Sequence, residues 1–535
     1  MKKILYKISF LLFIAVVVAS CASKLDLLPT NDLTEKQLYQ GTVYKNLLAK
    51  LYATLSLTGQ SGPAGSPDIG GGLDEGAQVP FIRAFFNHQE LTTDMAIVAW
   101  NDQTIQDFHS LKWTASDPFV KGMYARPIYN ITIINTYLRN YSDAKLAENG
   151  ITGEVAADIV KSRGEARFLR AFNYWIMLDL FGKSTFITEE DGIGSFLPKE
   201  INREDLFKYV ESELKTAESE LAEPKTMEYG RVDKAAAWAL LARLYLNAKV
   251  YSGTEHYGDA ITYAEKVINS GYSLHPKYAE LFMADNDKCK DELIFTANCD
   301  GIKTQAYGNT SFFVHAASGA DAADYGTSGG WNGYRGTKAL SNLFPKNGSN
   351  MPDSTQDIRA AHFYTSARKP EAAKVEIDNV GDFQQGLPVR KFVNIRSDGG
   401  KASDPALTYA DIDFPVFRLA EMYLIYAEAT LRGGAGGNMS KALGYVNSVR
   451  TRAKAATLAS IDLQAVLDER GRELFWEGHR RTDLIRYGMF TTGAYLWPWK
   501  GGVSNGTAVD NKFNLFPIPS TNRTTNPNLG QNTGY

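Results

Sequence analysis

Apolar residues recur three or four positions apart along most of the chain, a spacing that predicts a mainly α-helical protein. The clearest helix runs from Val155 to Phe181, and Gly182 is expected to end it because glycine readily adopts the left-handed conformation of a helix terminus. A few short strands are expected, one of them over Glu292–Asn298. Further helices are predicted over Glu35–Leu57, Pro127–Tyr141, Arg203–Leu221, Lys234–Ala248, Tyr257–Ser270, Val416–Leu431, Met439–Ala453 and Leu463–Tyr487.

Two pairs of neighbouring helices share a pattern of small and large side chains. Lys234–Ala248, for which Asp233 is a good N-cap, is followed by Tyr257–Ser270, and Val416–Leu431 is followed by Met439–Ala453. Small residues let two helices approach closely, while large residues fill the gaps beside them. Each pair is similar to a tetratricopeptide hairpin, and the distance between the pairs in the sequence predicts an interrupted superhelix.

The stretch Tyr307–Tyr334 breaks the helical pattern. It is rich in Gly, Ala and Ser but carries six aromatic rings, and no helical or strand period runs through it. We therefore expect a long loop, and long ordered loops usually have a function. Aromatic rings among small hydrogen-bonding residues favour a recognition surface. The alternative is that the rings only pin the loop to the body of the protein.

The N-terminus has the features of an exported, lipid-anchored protein. Lys2, Lys3 and Lys7 accompany the apolar run Ile8–Ala19, which is too short to span a bilayer and is typical of a signal peptide. Small residues then lead to Cys21, a pattern that resembles a bacterial lipobox. The resemblance implies cleavage after residue 20 and acylation of the Cys21 thiol. An ordinary signal peptide cleaved nearby is the alternative.

The net charge bears on nucleic-acid binding, and the spacing of the cysteines bears on disulfide formation. The formal charge of −3 becomes −6 once the three lysines of residues 1–20 are removed, so the sequence lacks the basic excess typical of proteins that bind nucleic acid. Cys289 and Cys299 flank the predicted strand, whose extended backbone would hold them too far apart for a disulfide. We expect two free thiols.

Charged residues are concentrated in Leu463–Tyr487, where acidic and basic side chains lie three or four positions apart. Such dense pairing is more typical of a structural ion network than of a catalytic site.

The sequence shows no metal-ligand spacing, no nucleophile elbow and no phosphate loop, so a binding protein is favoured over an enzyme. No cofactor is indicated, and Asp285 and Asp287 are the candidate ligands for a structural Ca²⁺.

Several short motifs occur in order along the chain: Leu25–Pro29 after Cys21, Glu165–Ala171, Leu180–Gly182, Arg418–Leu424, Glu473–Leu474, Gly478–Arg481, Phe516–Pro519, Asn526–Leu529 and Gln531–Tyr535. Together they resemble the SusD/RagB family of outer-membrane nutrient-binding lipoproteins. The resemblance implies a right-handed superhelix of tetratricopeptide-like helix pairs with long glycan-binding loops and a few short strands.

The family resemblance also implies a domain organisation, a location and a partner. A single domain is expected over residues 21–535, with an N-terminal region at about 22–225, a helix-pair region at about 226–290 and a C-terminal region at about 290–535. The protein would be anchored in the outer membrane through Cys21, facing the cell exterior. It would pass captured oligosaccharides to a SusC-like TonB-dependent transporter. A different glycan, such as a β-glucan, or a protein-docking scaffold without a glycan site are the alternatives.

Finer motifs are similar to the starch-binding branch of the family, among them Thr58–Gln60, Asp74–Gly76, Glu90–Asp94, Ala99–Trp100, Glu280–Asp287 and Gly488–Thr492. In that branch an arc of aromatic rings holds a curved α-glucan with help from an arginine and an asparagine. Gln103 takes the place of the asparagine here, and Val98 that of a second tryptophan. The implied glycan-binding residues are Arg83, Trp100, Gln103, Tyr307, Trp331, Asp74 and Asn101.

Overall fold

α-Helices make up most of the regular secondary structure, so the predicted fold class is confirmed. The computed structural model describes residues 35–63, 66–192, 194, 196–368 and 374–535, and the lipidation prediction at Cys21 lies outside them. The α-helices are α1 Glu35–Leu38, α2 Val43–Ala53, α3 Phe81–Phe86, α4 Ile105–Ser110, α5 Pro118–Asn140, α6 Asp143–Glu148, α7 Gly153–Phe181, α8 Arg203–Glu220, α9 Lys234–Leu246, α10 Ala248–Ser252, α11 Tyr257–Ile268, α12 Ser311–Ala317, α13 Lys338–Asn342, α14 Leu419–Leu431, α15 Met439–Arg452, α16 Leu463–Leu474, α17 Arg480–Arg486 and α18 Ser520–Thr525.

The strands are β1 Ile97–Val98, β2 Ser184–Phe186, β3 Lys199–Ile201, β4 Leu293–Ala297, β5 Tyr334–Arg335 and β6 Phe414–Arg418. They are short and pair two by two in antiparallel fashion, β1 with β5, β2 with β3 and β4 with β6. The predicted strand between the two cysteines is present as β4. The start of the predicted helix Val416–Leu431 is wrong, because Val416–Arg418 belongs to β6 and the helix begins at Leu419. A short apolar run buried on all sides does not reveal its conformation through periodicity.

Two predicted helix ends are confirmed. Gly182 adopts a φ of 69° at the end of α7, a left-handed conformation that glycine accepts without steric cost. At the start of α9 the Asp233 carboxylate accepts a hydrogen bond from the Ala235 amide at 2.8 Å. It thereby satisfies a backbone donor that the first helical turn leaves without a partner.

The long helices pack against one another in succession. α5 packs on α7, α7 on α8, α8 on α9, α9 on α11, α11 on α14 and α14 on α15. Alanines such as Ala236, Ala239 and Ala242 are fully buried in α9 and permit this close packing. The two predicted tetratricopeptide-like pairs, α9–α11 and α14–α15, are therefore neighbours in space despite their separation in the sequence. No helix among the described residues has the length and apolarity needed to cross a membrane.

The predicted helix Leu463–Tyr487 is in fact two helices, α16 and α17. Trp476, with a φ of 64°, and Gly478, with a φ of 84°, turn the chain sharply between them. The turn buries the Trp476 ring against Phe86, with 5.1 Å between ring centroids. Tertiary packing therefore outweighs the local helical pattern.

Two other predicted helices differ in extent. Gly41, with a φ of 54°, separates α1 from α2 where one helix over Glu35–Leu57 is predicted. α5 begins at Pro118, well before the predicted start at Pro127, because the Asp117 side chain caps it and proline suits the first helical turn. Pro127 is accommodated inside the helix.

Cys289 and Cys299 are both buried and free, as predicted. β4 lies between them and holds the two positions apart. Burial raises the pKa of the Cys289 thiol to about 12 and that of Cys299 to about 11. Both groups are therefore neutral thiols at physiological pH, with little reactivity as nucleophiles.

The charged side chains of the Leu463–Tyr487 region form part of a buried ion network, which confirms the structural interpretation of that region. The members of this network come from β6, α15, α16 and adjoining segments, and each side chain is at most 4% exposed. They are Arg359, Lys391, Arg418, Arg452, Glu292, Asp357, Glu469, Glu473 and Glu477.

Glu473 of α16 lies at the centre of the buried ion network. One of its carboxylate oxygens accepts hydrogen bonds from Arg418, at 2.5 Å, and from Arg452, and the other accepts one from Arg359 at 2.9 Å. Burial alone would raise the pKa of Glu473, but the three cations outweigh it and hold the pKa far below its usual value. The carboxylate therefore stays ionised and compensates buried positive charge.

We expect Glu473→Gln to lower the free energy of unfolding by about 3–5 kcal/mol, because it leaves buried guanidinium groups without their counter-charge. Urea unfolding followed by circular dichroism measures the change. Glu204→Gln is the matched control, since Glu204 pairs with Lys208 on the exposed face of α8 and should have no measurable effect. An equal effect of the two substitutions would contradict a dominant role for the buried ion network.

Candidate functional site

Main-chain hydrogen bonds bring distant segments together at one surface. β1 pairs with β5, and just beyond this pair the Ala99 amide donates to the Gly333 carbonyl at 2.9 Å. The amide of Arg83, in α3, donates to the Gly308 carbonyl at 3.1 Å. Gly308 permits this approach, since a Cβ there would lie 2.1 Å from Pro80. The contacts place the segments around positions 83, 100, 307 and 331 side by side.

Three of the predicted rings form a bent aromatic surface, which we call the arc: Trp100, Trp331 and Tyr307. The ring centroids of Trp100 and Trp331 lie 6.4 Å apart, and those of Trp331 and Tyr307 lie 6.2 Å apart. In both pairs the ring planes are inclined by 53°. Trp331 is 39% exposed and the other two rings are half-buried. The arc therefore exposes ring surface to solvent, and the orientation of that surface changes from one ring to the next.

Other rings support the arc from behind. The imidazole of His315 is stacked on Trp331, with 4.8 Å between centroids and 18° between planes. The buried Tyr334 meets Trp100 edge to face at 5.0 Å. Tyr409, which is 8% exposed, lies 5.3 Å from Tyr307. Each ring of the arc thus has an aromatic support, which limits its motion before any ligand binds.

Arg83 lies beside the arc. Its guanidinium carbon is 5.5 Å from the Trp100 ring centre and 4.9 Å from that of Phe312, and Nη1 donates to the Gly76 carbonyl at 3.0 Å. Its Nε is buried and has no hydrogen-bond partner among the described residues. Burial lowers the pKa of Arg83, while Tyr334 and nearby acidic groups, Asp74 first among them, raise it. Arg83 is thus a rigid cation with unused hydrogen-bonding capacity.

The predicted polar residues occupy the rim of the arc. Asp74 is exposed, and its carboxylate accepts a hydrogen bond from the Gly76 amide at 2.8 Å. A Cβ on Gly76 would lie 3.7 Å from the Tyr307 Cβ, which places this turn directly beside the arc. Asn101 and Gln103 are exposed on the turn that follows Trp100. All of the predicted polar side chains except that of Arg83 are therefore accessible to solvent.

The Tyr307–Tyr334 stretch is not a loop throughout, which corrects the prediction. It contains α12, a short 3₁₀ helix at Ala322–Tyr325 and the first residue of β5. Four of its six rings are buried and fix the stretch to the core, and two form part of the arc. Two rings therefore belong to the candidate recognition surface, and the other four pin the stretch to the body of the protein. The buried rings are those of Phe312, Phe313, Tyr325 and Tyr334.

Sequence reasoning did not identify several residues of the site. His315 lies in the apolar run of α12, and Tyr409 lies outside the recognised motifs. Asp102, an exposed neighbour of Trp100, raises the pKa of Arg83 together with Asp74. Val98, where the family resemblance implies a second tryptophan, is fully buried in β1. Position 98 therefore adds no ring to the arc.

The geometry does not support the calcium hypothesis. The Asp285 carboxylate accepts hydrogen bonds from the Ser397 amide at 2.7 Å and its hydroxyl at 2.8 Å, and it also pairs with Lys288 at 2.8 Å. Asp287 is exposed. Across the described ranges, no three His, Cys, Asp or Glu side chains gather as metal ligands would. A structural Ca²⁺ stays an untested prediction.

A separate cavity shares no residue with the arc. It has a volume of about 400 Å³ and lies beside α2 and the end of β4. Leu48 and Leu55 contribute apolar walls, and Tyr52, Tyr229 and Asn298 contribute polar atoms. It is a second place where a small ligand could be accommodated.

The chain is similar over nearly its whole length to known proteins. Residues 372–535 match the SusD family. The chain is 38% identical to the starch-binding protein SusD of Bacteroides thetaiotaomicron, in an alignment that covers 97% of this chain and 96% of that protein. It is 27% identical to SusD-like protein P25 of Formosa agariphila, over 81% of this chain and 82% of that protein.

Solved structures have the same fold. A SusD superfamily protein from Parabacteroides distasonis matches with a TM-score of 0.70 and 22% identity, over 94% of this chain and 100% of that one. A laminarin-binding SusD-like protein matches with a TM-score of 0.68 and 20% identity, over 92% of this chain and 99% of that one. At these identities the likeness shows the fold alone.

We expect Gly333→Ala to displace Trp100. Gly333 has a φ of 111°, and a Cβ there would lie 2.3 Å from the indole Nε1 of Trp100. Strain and displacement together should lower the free energy of unfolding by more than about 1 kcal/mol and change the near-ultraviolet circular dichroism. Gly329→Ala is the control in the same segment, because its Cβ would have no neighbour within 4 Å. Identical spectra and stabilities for both variants would refute this packing.

Proposed function

Because this chain belongs to the SusD/RagB family, we propose that it is a cell-surface lipoprotein that captures starch-derived maltooligosaccharides on the arc. Members of the family bind carbohydrates and are not enzymes, so the site recognises a glycan without breaking a bond. The observation that carries the proposal is the arc itself. It presents three aromatic rings on one surface, with hydrogen-bonding groups at their rim.

The chemistry of a sugar matches this arrangement. A pyranose ring has apolar C–H faces and a rim of hydroxyl groups. Aromatic rings cover the apolar faces without demanding charge. Arg83 donates hydrogen bonds in a fixed fork, Asp74 accepts them, and the amides of Asn101 and Gln103 do both. The site residues therefore provide a partner for each part of the sugar surface.

The bend of the arc favours a curved ligand. Its ring planes are inclined by 53° at each step, so one flat chain could not lie against all three rings. α-1,4-Linked glucose chains curve, whereas a β-1,4-linked chain is an extended ribbon. The β-1,3-linked chain of laminarin also curves, so the bend of the arc alone does not exclude it. Similarity to a starch-binding protein over nearly the full length of this chain supports an α-glucan. A β-glucan is the competing ligand, and the binding experiment below includes it.

We also propose that the captured oligosaccharide passes to a SusC-like TonB-dependent transporter. Support comes from family membership and from the predicted signal peptide that precedes Cys21. Acylation at Cys21 would hold the domain at the outer membrane beside such a transporter.

Calorimetric titration of residues 22–535 with maltoheptaose, a cyclic α-glucan and laminarin tests the ligand. We expect binding to the two α-glucans and at least about tenfold weaker binding in Trp331→Ala, since exposed aromatic anchors dominate recognition surfaces. Trp238→Ala is the control, because Trp238 is half-buried on α9 and lies outside the arc. Binding of laminarin alone would overturn the starch proposal, and unaltered binding in Trp331→Ala would overturn the site.

Labelling of cells with radioactive palmitate tests the anchor. We expect incorporation into the wild-type protein and into Cys289→Ala, but none into Cys21→Ala, because only Cys21 follows the signal-peptide pattern. The Cys21→Ala protein should also leave the membrane fraction. Equal labelling of Cys21→Ala would contradict lipidation at this position.

A further inference from the structure

His315 makes an unusual pair of contacts beneath the arc. Its Nδ1 lies 2.6 Å from the Gly329 carbonyl oxygen, and its Nε2 lies 2.6 Å from the Thr408 carbonyl oxygen. The residue is 5% exposed, so water does not readily replace either contact. Both ring nitrogens therefore face an oxygen that can only accept a hydrogen bond.

Only the imidazolium form can donate to both carbonyls. A neutral imidazole carries one N–H, and its second nitrogen presents a lone pair. At 2.6 Å, a lone pair facing a carbonyl oxygen is repulsive. The Thr327 hydroxyl does not relieve the conflict, because it lies 3.3 Å from both ring nitrogens and is within hydrogen-bonding distance of two carbonyls, at Gly329 and Leu407. The observed geometry is that of a doubly protonated ring.

The two carbonyls belong to the segments that carry the arc and its support. Gly329 lies two residues before Trp331, whose amide also donates to the His315 carbonyl at 2.7 Å. Thr408 directly precedes Tyr409, the ring behind Tyr307. His315 thus joins both segments while its ring stacks on Trp331, and stacking on a cation is favourable for an indole.

We propose that His315, as an imidazolium, is the positioning residue of the glycan site, so that glycan affinity is higher at mildly acidic than at mildly alkaline pH. The affinity part of this proposal rests on the proposed function. Loss of one proton leaves one ring nitrogen with a lone pair facing a carbonyl oxygen, which removes one of the two contacts and loosens either the Trp331 segment or the Tyr409 segment. The arc then loses its fixed shape, and part of the binding free energy is spent on ordering it again.

Neighbouring charged groups do not offer His315 a different partner. On the segments packed against it, Asp321 accepts from the Gly319 amide, Asp324 from the Ser366 amide, and Asp404 from the amides of Ala406, Thr408 and Tyr409. None of these carboxylates has a hydrogen bond or ion pair with His315 in the described structure. Burial raises the pKa of Tyr409, so its phenol stays neutral at the pH values concerned. The two carbonyls and Thr327 are the polar groups in contact with its ring.

Fluorescence tests the protonation state without any glycan. The Trp331 signal is compared at about pH 5.5 and at about pH 8, on either side of the neutral range. A stacked imidazolium quenches indole emission, so the signal should be stronger at the higher pH, where the proposal has the ring carry a single N–H. The Trp331 signal is the difference between the wild type and Trp331→Phe, since the chain has eight tryptophans. A pH-independent Trp331 signal, or an unchanged titration in His315→Gln, would overturn the proposal.

Maltoheptaose affinity at the same two pH values tests the functional consequence. We expect about three- to tenfold weaker binding by the wild type at the higher pH, because a change of this size corresponds to the net free energy of one hydrogen bond. His315→Gln should bind weakly at both values, because its amide nitrogen can replace only one of the two ring nitrogens and its amide oxygen cannot donate a hydrogen bond to the other carbonyl. Equal wild-type affinity at both pH values would contradict the positioning role.

His362→Gln is the matched control for loss of a buried histidine. His362 bonds a single carbonyl, that of Arg390, at 2.8 Å, and burial lowers its pKa to about 4, so it is neutral throughout the range tested. This variant should keep the wild-type pH dependence of affinity. A lost pH dependence in His362→Gln would assign the effect to something other than His315. If no glycan binds at any pH, the proposed function fails while the fluorescence titration still decides the state of His315.

Discussion

The buried ion network is the constraint on which the arrangement of the binding surface depends. Glu473 and its arginine partners join α16 to β6 and α15, and no member can be displaced without leaving a buried charge uncompensated. The chain leaving α16 then turns at Trp476, whose indole donates to the Met95 carbonyl at 3.2 Å. Trp476 also packs on Phe86 of α3. The network thereby fixes the two segments that carry Arg83 and Trp100.

A rigid scaffold matters because the site is assembled from side chains far apart in the sequence. Glycans offer few charged groups, so recognition depends on many weak contacts made at once. Each contact is worth most when the protein side is already ordered, since less conformational entropy is lost on binding. β1–β5 pairing, the aromatic supports and the His315 contacts all contribute to that order. The exposed part is confined to Trp331 and the polar rim.

Sequence patterns could predict those features whose causes are local. α7 and α9 have strong periodicity and their own end signals in Gly182 and Asp233, and both were predicted closely. The break between α16 and α17 could not be predicted in this way, because its cause is the packing of Trp476 against a helix that is distant in the sequence. The same holds for the site. Family motifs led to the residues of the arc, but the importance of His315 depends on carbonyls that only the fold brings near it.

A crystal structure of the protein with bound maltoheptaose would show whether the glycan lies on the arc. We expect glucose units against Trp100, Trp331 and Tyr307, with Arg83 within hydrogen-bonding distance of their hydroxyl groups. A glycan bound only in the cavity between Tyr52 and Tyr229, or anywhere else away from the arc, would contradict it.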